Sequence, residues 1–232
     1  MRRDVIAVIP AYQCAVTLGE VVAGVRRHLD EVVVVDDGST DGCGEVARKA
    51  GARVVSHDHN RGKGHALQTG CAAALAWGRE PGHPPVAALV LLDGDGQHDP
   101  EDLPQLLAAW DRGDVDLLVG ARLKDRAKIP SHRYWTNTIG SKLLSIITGT
   151  GLEDSQSGYR VIRAELWERL GLRSGGYAIE SEMLIKAAKR RARIAHARVR
   201  TIYHDRVPSF YRPVLDTTRI TLASVYHRLF SS

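Results

Sequence analysis

The 232-residue sequence predicts an α/β domain with a mostly parallel central sheet and helices on both faces. Two observations carry this. Through the first half of the chain, short apolar runs alternate with stretches of helical spacing. One run, Val86-Ala87-Ala88-Leu89-Val90-Leu91-Leu92, contains no polar residue and is too short to span a membrane, so it is a strand buried on both faces.

Val5 to Ile9 form the first strand, ended by Pro10. Thr17 caps a helix running to about Leu29. Val32 to Val35 form the second strand, ended by Asp36-Asp37-Gly38-Ser39; Ser39 or Thr40 caps the next helix and Gly51 stops it. Arg53-Val54-Val55 is a short third strand, and an alanine-rich helix follows Gly64 to about Trp77. After the central strand, Asp99 caps a helix with Pro100 in its first turn and Glu101 and Asp102 at its positive end. Asp116 to Val119 form the fifth strand. The second half is less regular. A basic loop, Leu123 to His132, holds Lys124, Arg126, Lys128 and the bend Ile129-Pro130. A helix covers about Tyr134 to Thr148, and Gly149-Thr150-Gly151 breaks it. Ser157 to Ile162 is a short strand, Glu180 to Arg190 a helix, and Ala195 to Arg200 a half-exposed strand of alternating residues. From Pro213 to Phe230, Val214, Thr218, Ile220, Thr221, Val225 and Leu229 fall near one helical stripe flanked by Arg219 and Arg228. No repeat or low-complexity linker divides the chain, so one domain is expected over residues 1–212 and an amphipathic C-terminal helix over 213–232.

Composition narrows the classes of function. A net charge of +5 fits a phosphate-bearing ligand or an anionic membrane surface. The basic residues are dispersed and no aromatic platform interleaves them, which argues against nucleic acid. Cys14, Cys43 and Cys71 are odd in number and isolated in sequence, as expected of reduced thiols in a reducing compartment. Arg2-Arg3-Asp4 runs straight into a strand, so no signal peptide is expected, and no apolar run reaches the roughly 18 residues of a membrane-spanning helix.

The residues able to do chemistry fall at strand ends, which a parallel sheet gathers along one edge. The central strand stops on Asp93-Gly94-Asp95-Gly96-Gln97. Residues i and i+2 of an extended segment point the same way, so Asp93 and Asp95 can share one target. Two converging carboxylates repel unless a cation sits between them; Mg²⁺ or Mn²⁺ prefers such hard oxygen ligands, and Gln97 offers a third. Tyr12, after the first strand, offers a ring for a base to stack on. Asp37, after the second, can accept bonds from a base or ribose. Gly62-Lys63-Gly64 at a helix start suits a phosphate, through backbone N–H groups and an ammonium. Each motif alone is as well explained by a plain turn or cap. Neither a P-loop nor a dinucleotide fingerprint is present.

Together these residues resemble a known family. Val8-Ile9-Pro10-Ala11-Tyr12, Val34 to Asp41, Asn60-Arg61-Gly62-Lys63-Gly64 and Leu92 to His98 have the order and spacing of family-two inverting glycosyltransferases of the GT-A fold. The resemblance continues through Gly120-Ala121-Arg122, Asp154 to Arg160 and Glu180-Ser181-Glu182-Met183, nearly the whole chain. The Asp-x-Asp-x-Gln-His variant is most similar to the dolichyl-phosphate mannosyltransferase, or polyprenyl-phosphate glycosyltransferase, branch. The resemblance implies a Rossmann-like nucleotide-sugar-binding half over residues 1–120 and a smaller acceptor-side half over 121–212. It implies transfer from GDP-mannose or a UDP-hexose to a polyprenyl phosphate, with Mg²⁺ or Mn²⁺ on Asp95, Gln97 and Asp93. Pro10, Tyr12, Asp36, Asp37, Lys63, Asp93 and Arg122 would hold the donor.

On the acceptor side, Arg122, Arg133 and Arg160 match family positions, and the guanidinium fork suits a phosphate. Asp154 matches the acidic residue beside the acceptor. It would be a base for a hydroxyl acceptor and an orienting group for a phosphate, which is already ionised. The implied catalytic set is therefore Asp93, Asp95, Asp154 and Arg160. Glu182 is a second candidate base and acceptor ligand, against the alternative of a helix-surface glutamate. Tyr203 to Phe210 departs from the family's Arg-x-x-Gly-Ser-Lys: Arg206 and Ser209 match as acceptor-side residues, while the glycine and lysine are missing. His204 is a late metal ligand or a structural residue, and His98 packs or bonds beside the site. The basic loop and the tail stripe can lie on a membrane, or the tail can pack on the domain or on a second copy in a homodimer. A cytoplasmic protein, peripheral on the membrane, is expected. Three rivals remain: the same donor chemistry with a soluble hydroxyl acceptor, a sugar-phosphate nucleotidyltransferase lacking its Gly-x-Gly-x-Arg loop, and a non-catalytic nucleotide-sugar-binding subunit.

Overall fold

The computed structural model describes residues 2–122, 131–202 and 206, with Thr138 the one side chain described between 131 and 139. Strands and helices follow in the order β1 (Arg2–Ala11), α1 (Ala15–Arg26), β2 (Leu29–Asp36), α2 (Cys43–Lys49), β3 (Arg53–Ser56), α3 (Lys63–Trp77), β4 (Ala88–Leu91), α4 (Leu103–Arg112), β5 (Leu117–Arg122), α5 (Ser131–Thr148), β6 (Arg160–Arg163), α6 (Ala164–Leu170), α7 (Ile179–Lys189) and β7 (Ile194–Val199). One seven-stranded sheet has the order β3-β2-β1-β4-β6-β5-β7. Every pairing is parallel except those of β6, which runs against β4 and β5. The carboxyl ends of the six parallel strands therefore share one edge, and the segment entering β6 joins them there.

The central strands are apolar on both sides because both sides are covered. On one face Val5, Ala7 and Ile9 of β1 pack with Leu18 and Val22 of α1, Ala47 of α2 and Leu103 and Leu106 of α4. On the other, Ile6 and Val8 pack with Leu67 and Cys71 of α3, Leu144 of α5, Trp167 and Leu170 of α6 and Met183 of α7. No helix among the described residues is long and apolar enough to cross a membrane.

Several expected boundaries shift. β1 continues through Pro10 to Ala11, because the side to which Pro10 would donate lies beyond the last residue of β4 and no ladder bond is lost. β4 itself stops at Leu91, so Asp93 lies just past the strand and Asp95 in the turn that follows, not together on one strand. Thr17 is inside α1, where its hydroxyl donates to the Gly94 carbonyl (2.9 Å); Cys14 occupies the cap position. Neither Ser39 nor Thr40 caps α2, whose N-cap is Gly42, and Asp41 instead accepts from the Cys43 N–H. Asp99 does cap its turn, accepting from the Glu101 N–H. α5 starts at Ser131, earlier than expected, and α6, too short to announce itself by periodicity, was not anticipated. Cys14 and Cys43, distant in sequence, lie with their sulfurs 3.8 Å apart as free thiols. The basic stretch 123–130 and the tail 213–232 fall outside the described residues.

Candidate active site

At the carboxyl edge, Asp93 leaves β4 and meets Lys63, the first residue of α3. The Lys63 ammonium lies 2.7 Å from Asp93 Oδ1 and 2.6 Å from Glu180 Oε1, at the start of α7. Gly158, on the way into β6, lets this pair pass over its backbone: a Cβ there would come within 2.6 Å of Asp93 Oδ2 and 3.0 Å of Lys63 Nζ. Burial works against the charge on Lys63, yet Asp93 and Glu180 hold the ammonium well above its ordinary pKa. Burial likewise opposes the charge on Asp93, but Lys63 and then His98 keep its carboxyl well below the usual range. His98 Nε2 lies 3.7 Å from Asp93 Oδ2, and its ring packs on Tyr159 at 5.3 Å between centroids, so His98 packs beside the site as expected.

Asp95 contrasts with Asp93. Burial, and next the charge of Asp93, push its carboxyl above the usual range; its Oδ1 accepts from the Gln97 N–H (2.9 Å). A carboxylate crowded by another negative charge is stabilised by a cation, and carboxylate and amide oxygens are what Mg²⁺ or Mn²⁺ takes. The residues thus fit a divalent ion at Asp95, with Gln97 beside it and Asp93 engaged by Lys63. Among the described residues no three His, Cys, Asp or Glu side chains converge as a metal cage, so further oxygens would come from a ligand or water.

The other donor-side residues divide. Pro10 is the penultimate residue of β1, and Tyr12 follows the strand half-buried at the same edge. Asp37 is buried, and its oxygens accept from His57 Nδ1 (2.6 Å) and the N–H groups of Arg61 (2.9 Å) and Gly62 (2.8 Å). It organises the loop ahead of Lys63. Asp36 accepts from the Ser39 N–H at 3.0 Å. The Gly62 and Gly64 N–H groups are bonded to Asp37 and to the Gly175 carbonyl, so this turn offers a ligand its ammonium and not the amide cradle the sequence suggested.

The acceptor side is corrected in three places. Arg160 is 0% exposed: β6 is inserted between β4 and β5, and its guanidinium donates inward to the carbonyls of Ser155, Ser157 and Glu180 (each 2.8 Å). It staples the site together and reaches no ligand. Asp154 is clamped by Arg122, with Nε at 2.6 Å and Nη2 at 3.0 Å, and accepts from the Gln156 N–H. Burial opposes its charge, but Arg122 holds its carboxyl below the usual range, which makes it a poor proton acceptor. Glu182 is 0% exposed, neither on the helix surface nor at the edge; it accepts from the N–H groups of Arg173 and Ser174 and from Lys186. Arg206 pairs with Glu20 of α1 on the exposed surface (2.9 Å). Arg133 lies in the first turn of α5 with its side chain outside the described set, as are His204 and Ser209.

Glu180 is the site residue that sequence reasoning missed. It stands in the Glu180-Ser181-Glu182 segment, where the second glutamate had been preferred. Its Oε2 is buried and has no hydrogen-bond partner among the described residues.

A family model described as glycosyl transferase family 2 matches residues 6–171. The chain is 30% identical to an uncharacterized protein of Methanocaldococcus jannaschii over 98% of this chain and 93% of that one. It is 33% identical to an undecaprenyl-phosphate mannosyltransferase of Micrococcus luteus, over 82% of this chain and 80% of the relative. Among solved structures, glucosyl-3-phosphoglycerate synthase from Mycobacterium tuberculosis, crystallised with Mn²⁺, UDP and phosphoglyceric acid, superposes with a TM-score of 0.74 at 21% identity, covering 98% of this chain and 79% of that one. That likeness carries the fold, which is GT-A.

Proposed function

The chain belongs to glycosyl transferase family 2 and is a glycosyltransferase, and on that premise we propose that it moves a sugar, with inversion, from a nucleotide diphosphate sugar to a polyprenyl phosphate. The observation that favours a phosphate acceptor over a hydroxyl is the state of the two carboxylates first considered as bases. Asp154 is tied to Arg122 and Glu182 to Arg173, Ser174 and Lys186. A hydroxyl must lose a proton as it attacks; a phosphate arrives ionised and needs only to be placed.

As the bond from the sugar to the diphosphate breaks, the anomeric carbon turns oxocarbenium-like and the leaving group gathers charge. A divalent cation held by Asp95, with Gln97 and Asp93 beside it, would neutralise that charge. Lys63, with two of its three N–H donors on Asp93 and Glu180, has the third for a donor oxygen. Asp93 and Glu180 supply acceptor atoms for sugar or ribose hydroxyls. Pro10, Tyr12 and Asp36 border the nucleotide, and Asp37 shapes the loop beneath it. Arg122, oriented by Asp154, meets the acceptor phosphate together with Arg133. A lipid phosphate would be met at a membrane surface by a peripheral, cytoplasmic protein.

Labelled GDP- and UDP-sugars, offered with Mg²⁺ or Mn²⁺ and a short polyprenyl phosphate in detergent, test this. The reading expects an acid-labile, butanol-extractable labelled lipid from one donor. Consumption of donor with label only in water-soluble products would overturn the lipid acceptor and restore the hydroxyl reading.

A further inference from the structure

α7 grips Lys63 twice. Glu180 holds its ammonium directly. Two residues on, Glu182 holds the backbone of the next residue, Gly64, through an intermediate loop. The Glu182 carboxylate accepts from the Arg173 N–H (3.0 Å) and the Ser174 N–H (2.8 Å), and Lys186, paired with Glu182 at 2.8 Å, donates to the Gly171 carbonyl at 2.6 Å. The start and the middle of the loop are thus fastened to one helix. The loop in turn fastens the first turn of α3. The Gly175 carbonyl accepts from the Gly64 N–H (2.9 Å) and the Ser174 carbonyl from Gln68 Nε2 (3.1 Å). Packing there is close enough that a Cβ on Gly64 would collide with the Ser174 carbonyl oxygen, and one on Gly175 with the His65 ring. An open pocket of about 430 Å³, lined among others by Gln68, Gly171 and Leu172, borders the start of the loop.

We infer that Glu182 is a positioning residue for donor binding: by holding the 171–176 loop against the start of α3 it fixes Lys63 opposite Asp93. This rests on the donor role of Lys63 proposed above. A buried, fully hydrogen-bonded carboxylate at 0% exposure cannot touch donor or acceptor, so its effect passes through the loop. A displacement of about 1 Å at a binding group can cost up to two orders of magnitude.

The test is steady-state transfer with separate donor and acceptor titrations, alongside thermal unfolding, for the wild type, Glu182→Gln, Glu182→Asp and Gly64→Ala. Glu182→Gln is expected to raise the donor KM about tenfold while leaving the acceptor KM within about twofold. Glu182→Asp should recover part of that loss. Gly64→Ala, which pushes the loop off α3 without touching α7, should move the donor KM the same way and decides the matter if Glu182→Gln does not fold. Variants that lose kcat and Tm with an unchanged donor KM would overturn the inference and leave Glu182 a structural residue. A wild type that binds no nucleotide sugar would overturn the donor reading itself, a result distinguishable from the first.

Discussion

Lys63 Nζ and Asp93 Oδ1 stand 2.7 Å apart, one at the first residue of a helix and the other past the end of the central strand, with Glu180 closing the pair from the other side at 2.6 Å. Removing the ammonium leaves a half-buried and a buried carboxylate facing each other. Lys63→Met should therefore cost on the order of 3 kcal/mol of stability. For a chain of this length that is about 6–12 °C in Tm. Donor affinity should fall at least tenfold in the same variant. Calorimetric donor titration and thermal unfolding check both; an unchanged Tm would mean that the pair is held apart in solution.

Arg122 grips Asp154 with two nitrogens. Lysine cannot reproduce that fork. Arg122→Lys should raise the acceptor KM roughly tenfold with a smaller change at the donor. Asp154→Asn should do likewise, and it should not remove an acidic limb from the pH–rate profile. Loss of kcat alone, together with loss of that acidic limb, would make Asp154 the base after all.

Arg160 is a stability residue. Replacing it by Met leaves the carbonyls of Ser155, Ser157 and Glu180 buried without their donor. At about 1–3 kcal/mol per orphaned group, partly relieved by relaxation, the loss is on the order of 3–5 kcal/mol. Urea unfolding should show it.

The strand-end carboxylates were legible because apolar runs delimit strands and parallel topology brings their ends together. Which of Glu180 and Glu182 faces the site was not. Residues two apart on a helix point about 200° apart, and nothing in Glu180-Ser181-Glu182 states the rotation of α7. Arg160 misled for a related reason. An arginine in a motif reads as a phosphate ligand until its strand is seen to lie between β4 and β5, where it donates to three backbone carbonyls and to the Met183 sulfur. Asp37 lies just past the end of β2, but its hydrogen bonds, like those of Asp154, depend on partners far away in sequence, His57, Arg61 and Gly62 for the one and Arg122 for the other.

Far from the site, His83 Nε2 lies 2.5 Å from Glu31 Oε2, and this bond to Glu31, against the opposing effect of burial, raises the imidazole pKa above its ordinary value. A raised folded-state pKa stabilises the fold below the unfolded value, about 6.5, and the gain is lost as pH rises through the higher folded value. Wild-type stability in urea should thus decline as pH rises above about 6.5, and His83→Gln should flatten that decline. A parallel decline in both proteins would place its origin elsewhere.

The central claim is that Asp95, beside the Lys63–Asp93 pair, holds the cation that binds a donor diphosphate. Titrating UDP and GDP into wild type and Asp95→Asn, with and without Mn²⁺, tests it most directly. The account predicts that one nucleotide binds the wild type at least tenfold tighter with Mn²⁺, and that Asp95→Asn, folded to the same Tm or higher, loses this gain. Equal affinity with and without the metal in the wild type, or an undiminished metal gain in Asp95→Asn, would contradict it.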